Sequence, residues 1–578
     1  MKKRLFSAII AVVMILPMFL FSGCSSSDNT VVLSGSSVNP MTLTLYSIKG
    51  DKTTDEAVQK VEDEINRITE ADFNTHIILR MFTEEEYSKK LEEDLAVAEE
   101  NYVPVDDDET KGTGDASDTT KKVTEEITEP KETLKTTTAA AETDENGETK
   151  RVVVRKEQVA YPAENGTQCD IFLLTNVDDF HKYVNENVIQ TLSGELLGKS
   201  ALITKYVNPT LISSANVLDN TFAVSDNKLI GDYEYVLMKK SVADQYSYSE
   251  ETVHTLAQIQ QFASITGSKI VDTYGIEPQA AVLGEGNLLG YYVGYNPKSD
   301  VNAIPKNLLT NTKYQDDYTI INTMLSSGTM TKASLENSAG ADCLLVKGGA
   351  DIPELYGNDY YVSVYKYPTV TNEIAFGGAY AVSTYTKSVT RCMQIVTYMQ
   401  TNEEFANILR YGVSGVNYTK NDEDFVTILN HDYEIKPEYA GNMFLHYQNN
   451  EMTKSELLLS DDNWKLGKKQ NLDAVADPYL GFSAVNTISL IDSDGKVESK
   501  ISSEDMMKSV TEESAKYKKQ IQAYTASDVA TYFNTLGEAF EANENVKAAI
   551  STKYSNSPLS KYVAWYEVKF NSENNTNG

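Results

Sequence analysis

The sequence predicts an α/β protein of more than one domain, and three observations carry that expectation. Met41–Ile48 (MTLTLYSI) alternates as a strand, and Val58, Val61, Ile65 and Ile68 then recur at helical spacing. His76–Phe82 repeats the strand pattern, and Thr83-Glu-Glu-Glu86 opens a second helix through Leu91 and Leu95. Strand, helix, strand, helix at the start of a domain favours a largely parallel sheet with helices packed on it. The chain's 578 residues suffice for two or three domains with their own cores.

Composition narrows the function classes. With 84 acidic against 51 basic residues the formal net charge is -33, which argues against nucleic acid and against adhesion to anionic lipid, since both require a positive face. Tyrosine is abundant (36) and tryptophan scarce (2), so an aromatic ligand platform would be built mainly of tyrosine. Residues 1–23 have a basic start (Lys2, Lys3, Arg4), an apolar run from Ala8 to Phe21 and small residues before Cys24. This is the pattern of a secretory signal, and the run is short for a membrane span. Phe21-Ser22-Gly23-Cys24 resembles a bacterial lipobox, which implies that Cys24 is acylated and that residues 24–40 form a tether. Cys169, Cys343 and Cys392 then remain, an odd number without CxxC spacing, so neither a disulfide framework nor a zinc site is expected.

Taken in order, Lys49-Gly50-Asp51 reads as a turn and Thr53-Thr-Asp-Glu56 as a capping box. Parallel sheets bind ligands outside the carboxyl ends of their strands, which places Tyr46–Lys49 and Phe82–Thr83 at a candidate cleft. Residues 103–150 contain almost no large apolar side chain and read as a disordered acidic insertion. Arg151–Tyr161 reads as a strand or the returning arm of a hairpin. Cys169–Leu174 (CDIFLL) is a buried-type strand ending at Thr175, Asn176 and Asp178, and a helical stretch follows near Val188–Leu197. A strand through Tyr233–Leu237 and a helix from Glu251 come next. Gly284-x-Gly286-x-x-x-Gly290 precedes a strand-like aromatic run rather than a helix, which excludes a dinucleotide fingerprint. Tyr314–Leu325 and Ala341–Val346 suit helix and strand, and Tyr360–Val370 alternates up to Pro368. Ala379–Val382 is a short strand, followed by a helix carrying Met393, Ile395, Val396 and Met399. Thr401-Asn-Glu-Glu404 reads as a capping box before a second helix (Phe405, Ile408, Leu409) that ends at Tyr411-Gly412. Asp492-Ser-Asp-Gly495 lacks the remaining calcium ligands and reads as a turn. Glu504 to Val568 is mostly amphipathic helix, and 571–578 a frayed tail.

The stretch from Ala379 to Tyr418, with TNEEF and YGVSGVNY, resembles extracellular solute-binding lipoproteins of bacterial ABC importers, in the carbohydrate-type, family 1-like group. TLTLYSIKGDKTTDEAVQKVEDEIN, LDNTFAVSDNKLIGDYEYVLMKK and DPYLGF are similar to further parts of that family, and Ser225 replaces its usual proline. The resemblance implies a two-lobed, periplasmic-binding-protein-like fold with hinge crossovers. Lobe 1 would take residues 41–236 and 376–430, and lobe 2 residues 237–375 and 431–570. It further implies a monomer that is lipid-anchored through Cys24 on the outer face of a bacterial membrane, binds an oligosaccharide or another small polar ligand, and delivers it to ABC permease subunits. Expected ligand contacts are Tyr46, Lys49, Thr175, Asn176, Asp178, Tyr233 and Tyr380, with Tyr418, Asn442 and Trp464 in or near later family-like turns. Tyr46→Ala is expected to weaken binding without unfolding the chain.

Catalytic machinery is not legible. The five histidines, His76, His181, His254, His431 and His446, are scattered without HExxH or zinc spacing, and neither a G-x-S-x-G elbow nor a P-loop occurs. No catalytic residue, metal or cofactor is expected. A cell-surface sensory or interaction lipoprotein and a glycan-active surface enzyme are the rival readings.

Overall fold

The computed structural model describes residues 39–102, 168–294, 303–422, 425–449, 465–486, 496–524 and 528–576, with the backbone of short strands between 131 and 161. The signal segment, Cys24, Trp464 and Asp492–Gly495 lie outside the described residues. Lys131–Leu134, inside the stretch read as a disordered insertion, pairs antiparallel with Gln158–Tyr161, in the segment read as a strand or returning hairpin arm, and Glu142–Thr143 pairs with Thr149–Lys150.

The chain enters lobe 1 through β1 (Met41–Ile48), α1 (Asp55–Phe73), β2 (Thr75–Phe82) and α2 (Glu84–Asn101). The Thr54 hydroxyl, not Thr53, caps α1 by accepting from the Ala57 N–H at 3.2 Å; Thr53 instead donates to the Glu434 carbonyl. After β3 (Ile171–Leu174), α3 (Val177–Asn185) and β4 (Ala223–Ser225), residues 226–232 cross to lobe 2. The helix expected near Val188–Leu197 is confined to Ser193–Leu197.

Lobe 2 contains β5 (Tyr233–Lys239), α4 (Leu256–Thr266), β6 (Ile270–Asp272), α5 (Thr312–Ser326), β7 (Met330–Lys332), β8 (Cys343–Gly348), α6 (Ile352–Tyr356) and β9 (Tyr360–Lys366). Gly284 and Gly286, both at positive φ, turn a hairpin between Ala280–Val282 and Leu289–Tyr292, as the lack of a following helix implied. The chain returns through β10 (Thr369–Val370) and α7 (Asn372–Phe376) to β11 (Ala379–Val382), then α8 (Val389–Thr401) and α9 (Glu403–Tyr411). Asn402 caps α9 by accepting from Phe405 N–H at 2.9 Å, one residue past the expected Thr401, whose hydroxyl donates within α8 to Thr397. A third passage runs through α10 (Lys465–Asp473) and β12 (Val475–Ala476) to the helical layer of α11 (Ser503–Ala523), α12 (Val529–Ala542), α13 (Glu544–Ala549) and α14 (Pro558–Thr576). The last helix runs through the stretch read as frayed.

The two main sheets repeat one topology. Sheet 1 has the order β4-β11-β3-β1-β2, and sheet 2 the order β7-β6-β8-β5-β9. In each, the first strand of the lobe pairs in parallel with the second and third. A strand entering from the other lobe then runs antiparallel between the third and fourth. Because the entering strands β5 and β11 begin where the crossovers end, the carboxyl ends of the parallel strands in both sheets lie toward the hinge. That arrangement is the two-lobed, crossover-linked fold the resemblance implies.

Separate cores explain the lobes. Leu43, Leu45, Ile77, Phe172, Phe376, Met393 and Phe405 belong to the core of lobe 1. Sheet 2 is covered on one face by α4 and α5 residues such as Ile259 and Phe262, and on the other by a tyrosine-rich cluster. The C-terminal helices close a further core around Tyr479, Phe482, Phe533 and Tyr562. Cys343 and Cys392 are buried in different cores and are free thiols, as is Cys169. Residues 431–440, grouped with lobe 2 on sequence, put Tyr433, Ile435 and Tyr439 into the core of lobe 1.

Helix α10 binds both lobes and the first crossover. Asn471 Nδ2 donates to the Lys228 carbonyl at 2.8 Å, and its Oδ1 accepts from Ile230 N–H at 2.9 Å. Gln470 donates to the Gly231 carbonyl and accepts from Ala350 N–H of lobe 2 at 3.0 Å. Asn208 of lobe 1 donates to the Asn471 carbonyl at 2.9 Å. The other two crossovers are joined by β10–β12 pairing and by Asn372, which bonds the backbone at Tyr479, Gly481 and Phe482. Asn471→Ala leaves a buried carbonyl and N–H unpaired, so urea denaturation should show a loss of about 1–3 kcal/mol for each group.

His446, 5 % exposed, sits against the Ala440 carbonyl at 3.1 Å. Burial, helped by the Arg410 charge, lowers its pKa to about 3. Between that value and the ordinary 6.5, the unfolded chain binds a proton that the folded chain refuses, so stability falls as pH drops below 6.5. Urea denaturation at pH 7 and pH 5 should show about 2 kcal/mol more acid loss for the wild type than for His446→Gln.

Candidate functional site

The topology places the candidate site where strand ends of both lobes meet the crossovers. On the lobe 1 side, Lys49 follows β1, its Nζ 2.8 Å from Asp55 and its side chain 14 % exposed. Thr175 and Asn176 follow β3; Asn176 caps α3 by accepting from Asp179 N–H at 2.8 Å, leaving its side chain at the surface. Residues 434–441 lie across the strand ends: Gly50 N–H reaches the Glu434 carbonyl at 2.7 Å, and Ser47 and Tyr380 donate to the Tyr439 carbonyl at 3.1 and 2.7 Å. The Tyr439–Gly441 end of this segment forms the floor of the site on lobe 1, where the Tyr439 carbonyl joins β1 to β11.

At the root of the first crossover two charges are buried together. Asp226 accepts from the Gln400 amide and from Gly441 N–H, and Lys228 donates to the Gly377 carbonyl on the second crossover. Burial pushes Asp226 up to about 7 against the opposing pull of Lys228, and pushes Lys228 down against the pull of Asp226. Removing one member would strand the other charge, so the pair fixes the relation of the two crossovers.

The lobe 2 side is aromatic and acidic. The rings of Tyr233 and Tyr235 stack with centroids 5.1 Å apart, and Tyr367 packs on Tyr233 at 6.1 Å. Tyr233 donates to Asp473 of α10 at 2.6 Å, and Tyr235 to the Gly349 carbonyl at 3.0 Å. Asp351, just after β8, is 5 % exposed, and its Oδ2 has no hydrogen-bond partner among the described residues. Burial raises its pKa, with the Asp232 charge adding to the shift. Tyr367 and Lys366 line a cavity of about 160 Å3 between the hairpin of residues 280–293 and the β10–β12 pair, together with Gln279, Thr369 and Asp477. Tyr233 and Tyr235 are 3 % and 2 % exposed, so of the three rings it is the half-buried Tyr367 that is suited to packing against the apolar face of a polyhydroxylated ring, with donors and acceptors at its margin for the hydroxyls.

Lys49, Thr175, Asn176 and Tyr233 therefore lie at the strand ends. The other expected contacts do not. Tyr46 is fully buried under α2, bonded to Asp94 at 2.8 Å, so Tyr46→Ala opens a cavity in the core rather than stripping a ligand contact. Its strand position near the carboxyl end was legible, but β1 is buried on both faces from Thr42 to Ile48. Tyr380 is 1 % exposed beneath Tyr439. Tyr418 packs with Tyr411 and Val426 in a small separate cluster. Asn442 is 1 % exposed and caps a turn, accepting from Phe444 N–H at 3.0 Å and donating to Gln400 O at 2.9 Å. Asp178 accepts from Ser483, joining α3 to the third passage. The sequence reading missed Tyr367, Asp351 and Asp473; only Tyr367, at a strand end before Pro368, carried a signal.

Among the described residues no group of three or more His, Cys, Asp or Glu side chains is placed to hold a metal ion, and no helix is long and apolar enough to cross a membrane.

No family model matches the chain, and no curated protein matches it. Among solved structures it is similar to an N-glycan transport solute binding protein from Streptococcus pneumoniae, at 13% identity and a TM-score of 0.48, over 92% of this chain and 98% of that one. It is also similar to an extracellular solute-binding protein from Bifidobacterium longum subsp. infantis (11% identity, TM-score 0.41, 92% and 98%). A third is an extracellular solute-binding protein family 1 member from Alicyclobacillus acidocaldarius (10%, 0.42, 87% and 100%). All three fall below a TM-score of 0.5, and the two-lobed reading rests on this chain's own strand order and crossovers.

Proposed function

We propose that the protein is an extracellular solute-binding protein that captures a carbohydrate, an oligosaccharide in the first instance, by closure of its two lobes. The observation that supports this best is the repeated sheet topology: both sheets turn the carboxyl ends of their parallel strands toward one hinge. Hinge closure around a ligand then brings groups from both lobes onto it without covalent chemistry. Lys49, Thr175 and Asn176 act from lobe 1, and Tyr367, backed by Tyr233 and Tyr235, acts from lobe 2. The start of the chain supports an outer-surface location: a basic segment, a short apolar run and the lipobox-like Phe21-Ser22-Gly23-Cys24 make Cys24 the attachment point of a lipid anchor. Delivery to an ABC permease follows from the same reading and from the family-like motifs around Ala379–Tyr418.

Thermal melting against a panel of oligosaccharides, peptides and polar metabolites tests the proposal. A ligand that binds only the folded chain adds about 2.7 kcal/mol at a hundredfold excess over Kd. Stabilisation by an oligosaccharide series without its hydrolysis is expected. Tyr367→Ala should raise that Kd by about tenfold or more, since aromatic contacts dominate such sites, while leaving the ligand-free melting temperature nearly unchanged. Stabilisation by no sugar, or turnover of one, would overturn the reading.

A further inference from the structure

We propose that lobe 1 carries a second binding site, an oxyanion pocket centred on the Arg410 guanidinium, for a small molecule bearing a carboxylate or phosphoryl group. A cavity of about 530 Å3 opens beside the carboxyl end of β1, walled by the Gly50–Lys52 turn, the last turn of α9 and residues 428–437. All of its lining comes from sheet 1 connections and from the segment packed on lobe 1, so it is complete without lobe 2.

Its charge runs against the rest of the chain. Lys52, Arg410, His431 and Lys436 line it with a single carboxylate, Glu434, whereas the whole chain carries a formal net charge of -33. Glu434 is matched within the wall, 3.5 Å from Lys52 and 3.0 Å from His431, and Lys436 is matched by Glu84 at 2.8 Å. Arg410 is not matched. Among the described residues no carboxylate stands within ion-pair distance of it: one N–H donates to the Ile435 carbonyl, and the guanidinium lies 5.1 Å from the Tyr411 ring centroid. Other arginines here are satisfied differently. Arg67 and Arg80 face carboxylates, and Arg391, 6 % exposed, donates to the carbonyls of Phe73, Asn74 and Asn39.

A half-buried guanidinium beside an aromatic ring, with donors left over, fits the paired oxygens of a carboxylate or phosphoryl group. The local sequence explains its placement. Arg410 lies in the last turn of α9, where the helix dipole favours a cation, and Gly412 at φ +84 turns the chain just after it. A side chain at 412 would meet Asn417 Oδ1 at 2.6 Å. Lys52, whose side chain is 70 % exposed, guards the mouth.

Isothermal titration of the purified protein at low ionic strength, with inorganic phosphate and with succinate as probes and succinamide as the neutral control, decides the matter. At least one anion should bind and the control should not. Arg410→Gln should weaken binding by about tenfold or more and Lys52→Gln by about threefold, as for a charge-assisted contact and a screened mouth charge. Tyr367→Ala should leave it unchanged, which separates this pocket from the cleft. Binding of phosphate alone marks a phosphoryl ligand, and of succinate alone a carboxylate ligand. The proposal is overturned if neither anion binds, or if binding persists at full strength in Lys52→Gln and, where it folds, in Arg410→Gln.

Discussion

The amide side chain of Asn471 occupies the position a neighbouring strand would take beside the first crossover, accepting from Ile230 N–H and donating to the Lys228 carbonyl. A crossover between two lobes is a stretch of chain with few neighbours, and unpaired buried backbone groups there would be costly. Helix α10 supplies the missing partners and carries Gln470 and Asp473 as well, so the same element touches Ala350 and Tyr233 of lobe 2 and, through its backbone, Asn208 of lobe 1. The tyrosine platform is thereby mechanically connected to the hinge.

The buried Asp226 and Lys228 pair complements that connection from below. It ties the start of the first crossover to Gly377 on the second and to Gly441 under the cleft floor. Hydrogen bonds from Asn372 perform the same office between the second and third passages. Residues 229–232 join this pair to β5, and there Asn471 holds Ile230 while Gln470 holds Gly231, which sits at φ +43. The cores on either side, one under sheet 1 and two around sheet 2, are separate and buried, as two bodies that close on a hinge require.

Much of this was legible in the sequence for physical reasons. Met41–Ile48 and Thr75–Phe82 alternate or run apolar because each is buried in sheet 1, and the helices between them show the spacing that packing on a sheet demands. Caps were read one residue early at Thr53 and Thr401, since adjacent Thr and Asn side chains offer the same hydrogen bond and only the backbone decides which takes it. Site residues were less legible. Strand ends mark where a cleft lies but not which side chains reach it: β1 and β11 are buried on both faces, so Tyr46 and Tyr380, expected as ligand contacts, lie in the core. Asp351 and Asp473 carried no local signal, because their proximity to Tyr233 and Tyr235 arises from contacts between segments more than a hundred residues apart. Arg410 was invisible for a related reason: what distinguishes it is the absence of a carboxylate, which no pattern in the surrounding residues encodes.

The central claim is that two rigid lobes close about the first crossover. Pulsed electron-spin distance measurement between nitroxides at Lys60→Cys on α1 and Gln261→Cys on α4, both exposed positions, tests it most directly. The account predicts a broad distribution in the free protein that narrows and shortens with a bound oligosaccharide, while a pair of labels within one lobe stays fixed. Saturating ligand with an unchanged distance between the lobes would contradict it.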